Sequence, residues 1–137
     1  MNTQDLSQIP IKKTLVLITS SPHHPKAWEA LHFTAQKLQA SAAVSVFFYG
    51  DGAYTANSLI WQTADVPSVA NAWVSLSQEH SLALPVCVST ALARGITDAD
   101  NAKRHGLDGD NLRSPFYLVG LSELALQIDH DTELVQF

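Results

Sequence analysis

The sequence predicts an α/β fold, a three-layer α/β/α sandwich with a mainly parallel five-stranded sheet. Apolar runs rich in β-forming residues alternate along the chain with segments of helical periodicity, which is the order found in βαβ units. The first run is apolar throughout rather than at every second residue, as in a strand covered on both faces. A chain of 137 residues is long enough for one such domain, which we assign to residues 13–137, after a flexible N-terminal extension over residues 1–12.

The first half of the chain predicts two strands with a helix between them. The strands are Thr14–Thr19 and Ala43–Tyr49, and the helix begins near Pro25, a residue that is tolerated in a first helical turn. After the second strand, Gly50 and Gly52 form a Gly-x-Gly pattern that lacks the third glycine of a dinucleotide fingerprint. We therefore favour a flexible turn over phosphate binding, at the start of a long connection of a kind that is often functional.

The second half predicts three more strands. Asp65 suits the N-cap of the helix that precedes them, and a buried strand then ends near Cys87, where small residues able to form a helical turn follow at once. A fourth strand covers Pro115–Val119 and a fifth covers Thr132–Phe137. Between them we predict a helix over residues 122–129, whose inward side chains are Leu124, Ala125 and Ile128.

Composition excludes several classes of function. The net charge is −5 and no basic cluster exceeds Lys12–Lys13, so direct nucleic-acid binding is not expected. A single cysteine excludes an internal disulfide and suggests a reducing compartment. No apolar stretch is long enough to span a membrane, and the first residues do not resemble a signal peptide. We therefore expect a cytoplasmic protein.

Cys87 is the candidate catalytic residue. A strand end at the carboxyl edge of a parallel sheet is where reacting groups gather, and a helical start directly after it favours the thiolate, which is the nucleophilic form. The alternative is an inert, buried cysteine that only packs against its neighbours. The spacing of the histidines predicts no metal site, but His23 and His24 follow the first strand at the same edge and could lower the thiol pKa or contact a partner.

Three segments carry a resemblance to a known family. They are Phe47–Asn57, Leu84–Gly95 and the ending from Gly120 through Phe137, and together they resemble the DsrE/TusD family of sulfurtransferase subunits. The similarity extends over about residues 13–137 with order and spacing retained.

The resemblance implies a sulfurtransferase of a sulfur relay, which supplies persulfide sulfur for 2-thiouridine at the wobble position of tRNA. It implies that Cys87 carries the sulfur, that no cofactor is required, and that the subunit forms a heterohexamer with TusB-like and TusC-like subunits. A TusA-like donor would load the cysteine and a TusE-like acceptor would discharge it. Two alternatives stay open: a DsrE-like carrier in dissimilatory sulfur oxidation, and a non-catalytic structural subunit of a related assembly.

The topology adds an expectation about the surroundings of the thiol. Each loop that follows a parallel strand leaves the same edge of the sheet, so the turn after the first strand and the loop after the second should flank Cys87 and control access to it. We also expect Trp61, in the long connection, to need cover from the domain or from a partner. The predicted substrate- or partner-binding residues are His23, His24, Gly50, Asp51, Tyr54, Ser89 and Thr90.

Overall fold

The computed structural model describes residues 12–137, so the predicted extension lies outside the described residues except for Lys12. The strands are β1 (Lys13–Ile18), β2 (Val44–Phe48), β3 (Pro85–Cys87), β4 (Tyr117–Val119) and β5 (Thr132–Gln136). The helices are α1 (Pro25–Gln39), α2 (Val69–His80), α3 (Val88–Ala93), α4 (Ala99–His105) and α5 (Leu121–Gln127), with a 3-10 helix over Gly50–Ala56. In residues 12–137, no helix has the length and apolar character needed to cross a membrane.

The strands form one sheet in the order β4-β3-β2-β1-β5. Every neighbouring pair is parallel, with Phe48 opposite Val86 and Cys87 opposite Val119. This confirms the predicted five-stranded sheet and α/β fold. Because the strands are parallel, all their carboxyl ends lie at one edge, and the turn after β1, the 3-10 helix after β2 and α3 after β3 all leave from it.

One face of the sheet packs against α1 and α2. Val46 and Phe48 of β2 lie in its buried cluster together with Trp73 of α2. The Phe48 ring meets Trp73 and Phe116 edge to face, with ring centroids 5.3 and 5.2 Å away. Aromatic pairs of this geometry add to the stabilisation from burial, so this face contains the main core.

The opposite face has a much smaller cluster. Leu15, Phe47 and Cys87 form it, and α5 contributes Leu124 as a partly buried neighbour. Helix α5 has no buried residue, and the prediction that Ala125 and Ile128 point inward is wrong because both are exposed. Of the seven residues of this helix, Leu124 packs on the small cluster and Gln127 accepts a hydrogen bond from the Ser45 hydroxyl of β2 at 3.1 Å.

The segment after β2 differs from the predicted flexible turn. It is a 3-10 helix in which Gly52 and Ala53 are buried. Gly50 has a φ of +59°, and a Cβ on Gly52 would overlap the carbonyl oxygen of Ile18. The Gly-x-Gly pattern therefore serves a left-handed residue and a close backbone approach, which are the two situations that favour glycine.

The start of α2 also differs from the prediction. The helix begins at Val69, and its N-cap is Ser68 rather than Asp65. The Ser68 side chain accepts a hydrogen bond from the Asn71 N–H at 3.2 Å. Serine and aspartate are equally good caps in isolation, so the packing of the preceding connection decides which one is used.

A candidate active site at the carboxyl edge of the sheet

Cys87 lies where β3 ends and α3 begins. It is the last residue of the strand and the N-cap of the helix that follows without a connecting loop. The residue is 0% exposed, so both features that the sequence suggested, a strand-end position and burial, are present together. What separates an inert cysteine from a reactive one is the set of polar groups that face the sulfur.

Ser89 and Thr90 supply those polar groups. The Ser89 hydroxyl lies 3.4 Å from the Cys87 sulfur, and the Thr90 hydroxyl donates to the Cys87 carbonyl at 3.3 Å. Burial by itself raises the pKa of the thiol, but hydrogen bonds from the side chains and backbone of Ser89 and Thr90 outweigh it, so the pKa of Cys87 is lowered. Hydrogen bonds to the charged form favour the thiolate. The arrangement thus favours the thiolate, which is the form in which a cysteine acts as a nucleophile.

The 3-10 helix lies directly beside this turn. The Gly50 N–H donates to the Thr90 hydroxyl at 3.2 Å, and Asp51 pairs with Arg94 at 3.0 Å. Tyr54 is exposed and its ring lies 5.9 Å from the Arg94 guanidinium carbon. The structure therefore brings together Cys87 and five of the predicted site residues, namely Gly50, Asp51, Tyr54, Ser89 and Thr90.

The two predicted histidines lie at the same edge but have other contacts. His24 is the N-cap of α1, where its Nδ1 accepts from the Lys26 N–H at 3.1 Å. The His23 backbone N–H donates to the Ser21 hydroxyl at 3.2 Å. Within residues 12–137 no hydrogen bond joins either histidine to Cys87, since β2 separates β1 from β3. A partner-binding role for them stays a prediction.

Arg94 is the site residue that sequence reasoning missed. It caps the end of α3, and its side chain reaches both Asp51 and the Thr90 carbonyl. Asp51 and Arg94 are 43 residues apart, and no spacing rule pairs residues at that distance. The available signal was topological, because both follow strands that end at the same edge.

A group of side chains that could hold a cation lies elsewhere. Asp129, His130 and Asp131 present ligand atoms within 4.8 Å of one another, in the loop just before β5 and so at the amino edge of the sheet. Asp129 already accepts a hydrogen bond from Lys13 at 2.8 Å. The cluster is remote from Cys87 and takes no part in the chemistry of the thiol.

The fold and the site together define a class, the parallel α/β domains that hold a hydrogen-bonded thiol at the end of a strand. The chain belongs to the DsrE/DsrF-like family, whose sequence profile matches residues 12–137. The predicted family membership is thus confirmed.

Individual relatives agree with the family assignment. The chain is 42% identical over 114 residues to the sulfurtransferase TusD of Pectobacterium carotovorum, covering 82% of this chain and 88% of that protein. It is 34% identical over 127 residues to the sulfurtransferase TusD of Proteus mirabilis, covering 90% and 98% respectively. The crystal structure of the ychN protein from E. coli superposes with a TM-score of 0.67 at 15% identity, covering 92% of this chain and 99% of that one. This last likeness concerns the fold alone.

Proposed function

We propose that this chain is a sulfurtransferase of a sulfur relay, in which Cys87 carries sulfur as a persulfide destined for 2-thiolation of the wobble uridine of tRNA. The relatives that bear the name sulfurtransferase TusD support the activity. The observation that carries the proposal is the set of hydrogen bonds from Ser89 and Thr90 that lowers the pKa of the Cys87 thiol.

The transfer is a thiol–persulfide exchange. The Cys87 thiolate attacks the terminal sulfur of a donor persulfide, a new S–S bond forms on Cys87, and the donor S–S bond breaks. The bonding electron pair leaves with the donor sulfur as a thiolate, and the proton of the donor persulfide passes to solvent or stays on the transferred sulfur. Discharge to the acceptor repeats the same exchange in the opposite sense. No net oxidation occurs, so the step requires neither a redox cofactor nor a metal.

A lone cysteine suits a carrier. With one cysteine in the chain, no internal thiol can attack the bound persulfide and release its sulfur prematurely. The burial of Cys87 further keeps stray thiols away from it. Because a buried sulfur cannot meet its donor without local movement, we infer that docking of a partner at the carboxyl edge opens the approach to the thiol.

The partners we propose are those of the family. TusB-like and TusC-like subunits would complete a heterohexamer, a TusA-like protein would donate sulfur and a TusE-like protein would accept it, all in the cytoplasm. The apolar side chains left on the surface support assembly: Trp61 is 81% exposed and Leu126 is 79% exposed. A single exposed apolar side chain is ordinary, but a contiguous apolar patch marks an interaction surface, and Leu59, two residues from Trp61, is 75% exposed as well. The acidic balance of the chain fits a subunit that passes sulfur to proteins and does not grip tRNA itself.

Intact mass measurement tests the proposal. The purified chain is incubated with a cysteine desulfurase, cysteine and a TusA-like carrier, and we expect it to gain the mass of one sulfur atom. Cys87→Ser, the matched control, should gain none, and addition of a TusE-like acceptor should remove the added mass from the parent chain. A parent chain that stays unloaded while the carrier itself is loaded, both alone and together with TusB-like and TusC-like subunits, would overturn the proposal.

A further inference from the structure

Arg94 links the two segments that flank the thiol. Its Nε donates to the Asp51 carboxylate at 3.0 Å, and its Nη1 donates to the Thr90 carbonyl at 3.1 Å. The guanidinium also lies 5.9 Å from the centre of the Tyr54 ring. An isolated surface ion pair contributes little to the free energy of folding. A guanidinium that donates hydrogen bonds to several acceptors at fixed angles, however, imposes a geometry that lysine cannot reproduce.

Thr90 connects this arginine to the cysteine. Its carbonyl accepts from Arg94, while its hydroxyl accepts from the Gly50 N–H and donates to the Cys87 carbonyl. The placement of Thr90, and with it the first turn of α3, is therefore held from both sides, by the 3-10 helix and by Arg94. Ser89, which faces the sulfur, lies in that same turn.

We propose that Arg94, acting with Asp51, is a positioning residue for sulfur transfer. It holds the first turn of α3 against the 3-10 helix so that the Ser89 hydroxyl and the backbone N–H groups of Ser89 and Thr90 stay directed at the Cys87 sulfur. The role in transfer rests on the function proposed above, whereas the effect on the thiol does not. Three titratable side chains face this network: Asp51 and Tyr54 of the 3-10 helix, and Tyr49, the residue directly after β2. The side chains that β1 and α5 pack near Cys87 are apolar, namely Leu15, Leu17 and Leu124.

Titration of the free thiol tests this role without any sulfur donor. Since Cys87 is the only cysteine, thiolate absorbance followed against pH, with Cys87→Ser as the blank, reports on this sulfur alone. Arg94→Lys keeps the charge but loses the planar fork, and we expect its thiol to titrate at higher pH than that of the parent. Its rate of alkylation at neutral pH should fall roughly threefold, in proportion to the lost thiolate.

Two further variants sharpen the test. Asp51→Asn should shift the titration in the same direction, and the double variant should shift it no further than Arg94→Lys alone, as expected for residues that act through one contact. Arg104→Lys, at an exposed arginine of α4, is the matched control and should titrate like the parent. Circular dichroism confirms that each variant is folded.

The outcomes are distinct. A folded Arg94→Lys variant whose thiol titrates and reacts like the parent overturns the positioning role. So does a variant that is less stable but has an unchanged pH profile, because that result describes a purely structural contact. If the titration shifts as expected while the parent chain accepts no sulfur, the positioning of the thiol stands and the function proposed above fails.

Discussion

Both faces of the sheet contain fully buried strand residues, but the helices that cover the two faces differ greatly. Val46 and Phe48 on one face, and Phe47 and Cys87 on the other, are all 0% exposed. The first face lies under α1 and α2, which have 15 and 12 residues and contribute a large share of the core. The second lies under α5, which has seven residues and buries none of them. Cys87 thus belongs to the face with the thinner cover.

The unequal cover of the two faces places most of the folding free energy on one face and access to Cys87 on the other. Apolar area removed from water supplies most of the folding free energy, so the face under α1 and α2 dominates it. A short helix held by few apolar contacts opens locally at lower cost than a packed core. Access to a buried cysteine is therefore easier to provide on the face under α5, without putting the fold at risk.

The largest expected effect is on the well-covered face. Trp73→Ala removes a side chain that is 1% exposed and that packs edge to face on Phe48. We expect the free energy of unfolding to fall by about 3–5 kcal/mol, measured by urea titration followed by circular dichroism. The control is Leu126→Ala on α5, a position that is 79% exposed, which should stay within about 0.5 kcal/mol of the parent. A loss below about 1 kcal/mol for Trp73→Ala would contradict the comparison.

A smaller change in stability, with a larger one in reactivity, is expected from Leu124→Ala. Leu124 packs from α5 onto the cluster formed by Leu15, Phe47 and Cys87, but it is only partly buried. Truncation should cost about 1 kcal/mol of unfolding free energy and should speed alkylation of Cys87 several-fold, because the cover over the thiol becomes thinner.

Alkylation kinetics under native conditions measure this effect, and Leu126→Ala again serves as the control, since the exposed Leu126 side chain should leave the rate unchanged. An unchanged rate for Leu124→Ala, or a loss of stability as large as that of Trp73→Ala, would show that α5 is not a thin cover.

The smallest effect concerns the residue that ties the end of α5 to the sheet. A hydrogen bond from Lys13 is the first cause that lowers the pKa of Asp129 from 3.8 to about 2. A depressed carboxyl pKa means that the contribution of Asp129 to stability is present above pH 3.8 and is lost as the pH falls toward about 2. Both side chains are about half exposed, so the contribution is small.

Unfolding titrations from about pH 5, roughly one unit above the ordinary carboxyl pKa, down to about pH 2, the lowered pKa, compare the parent with Asp129→Asn. The variant should show a slightly shallower loss of stability in acid, whereas Asp108→Asn, at an exposed aspartate remote from this loop, should follow the parent. A parent-like acid profile for Asp129→Asn would mean that the Lys13 contact does not anchor α5.

Much of the architecture follows from local pattern. The continuous apolar run at β1 and the helical periodicity from Pro25 onward predict the βαβ order correctly, because burial on both faces and amphipathic spacing are properties of neighbouring residues. The pattern fails at α5, where Ala125 and Ile128 are apolar but exposed. Periodicity identifies an apolar stripe, but it does not show whether an element of the same chain covers that stripe.

The candidate site, like the fold, has one part that local sequence predicts and one part that it does not. Cys87 at a strand end, with Ser89 and Thr90 directly after it, is visible in the sequence because all three belong to one turn. The sequence predicted a flexible turn where the structure has a 3-10 helix, at Gly50–Ala56. Local sequence does not reveal this helix, because it is stabilised by burial against other elements rather than by the helix propensity of its own residues.

The sequence by itself determined the fold class, the family and the choice of Cys87 as the candidate residue, since each depends on residue types and on short-range order along the chain. Only the tertiary structure decided that Arg94 meets Asp51, that Gly52 lies against the backbone of β1, and that the sulfur is enclosed. These contacts join residues far apart in sequence. They exist because parallel strands bring their carboxyl ends to one edge, and the exact register of that edge is set by packing over the whole sheet.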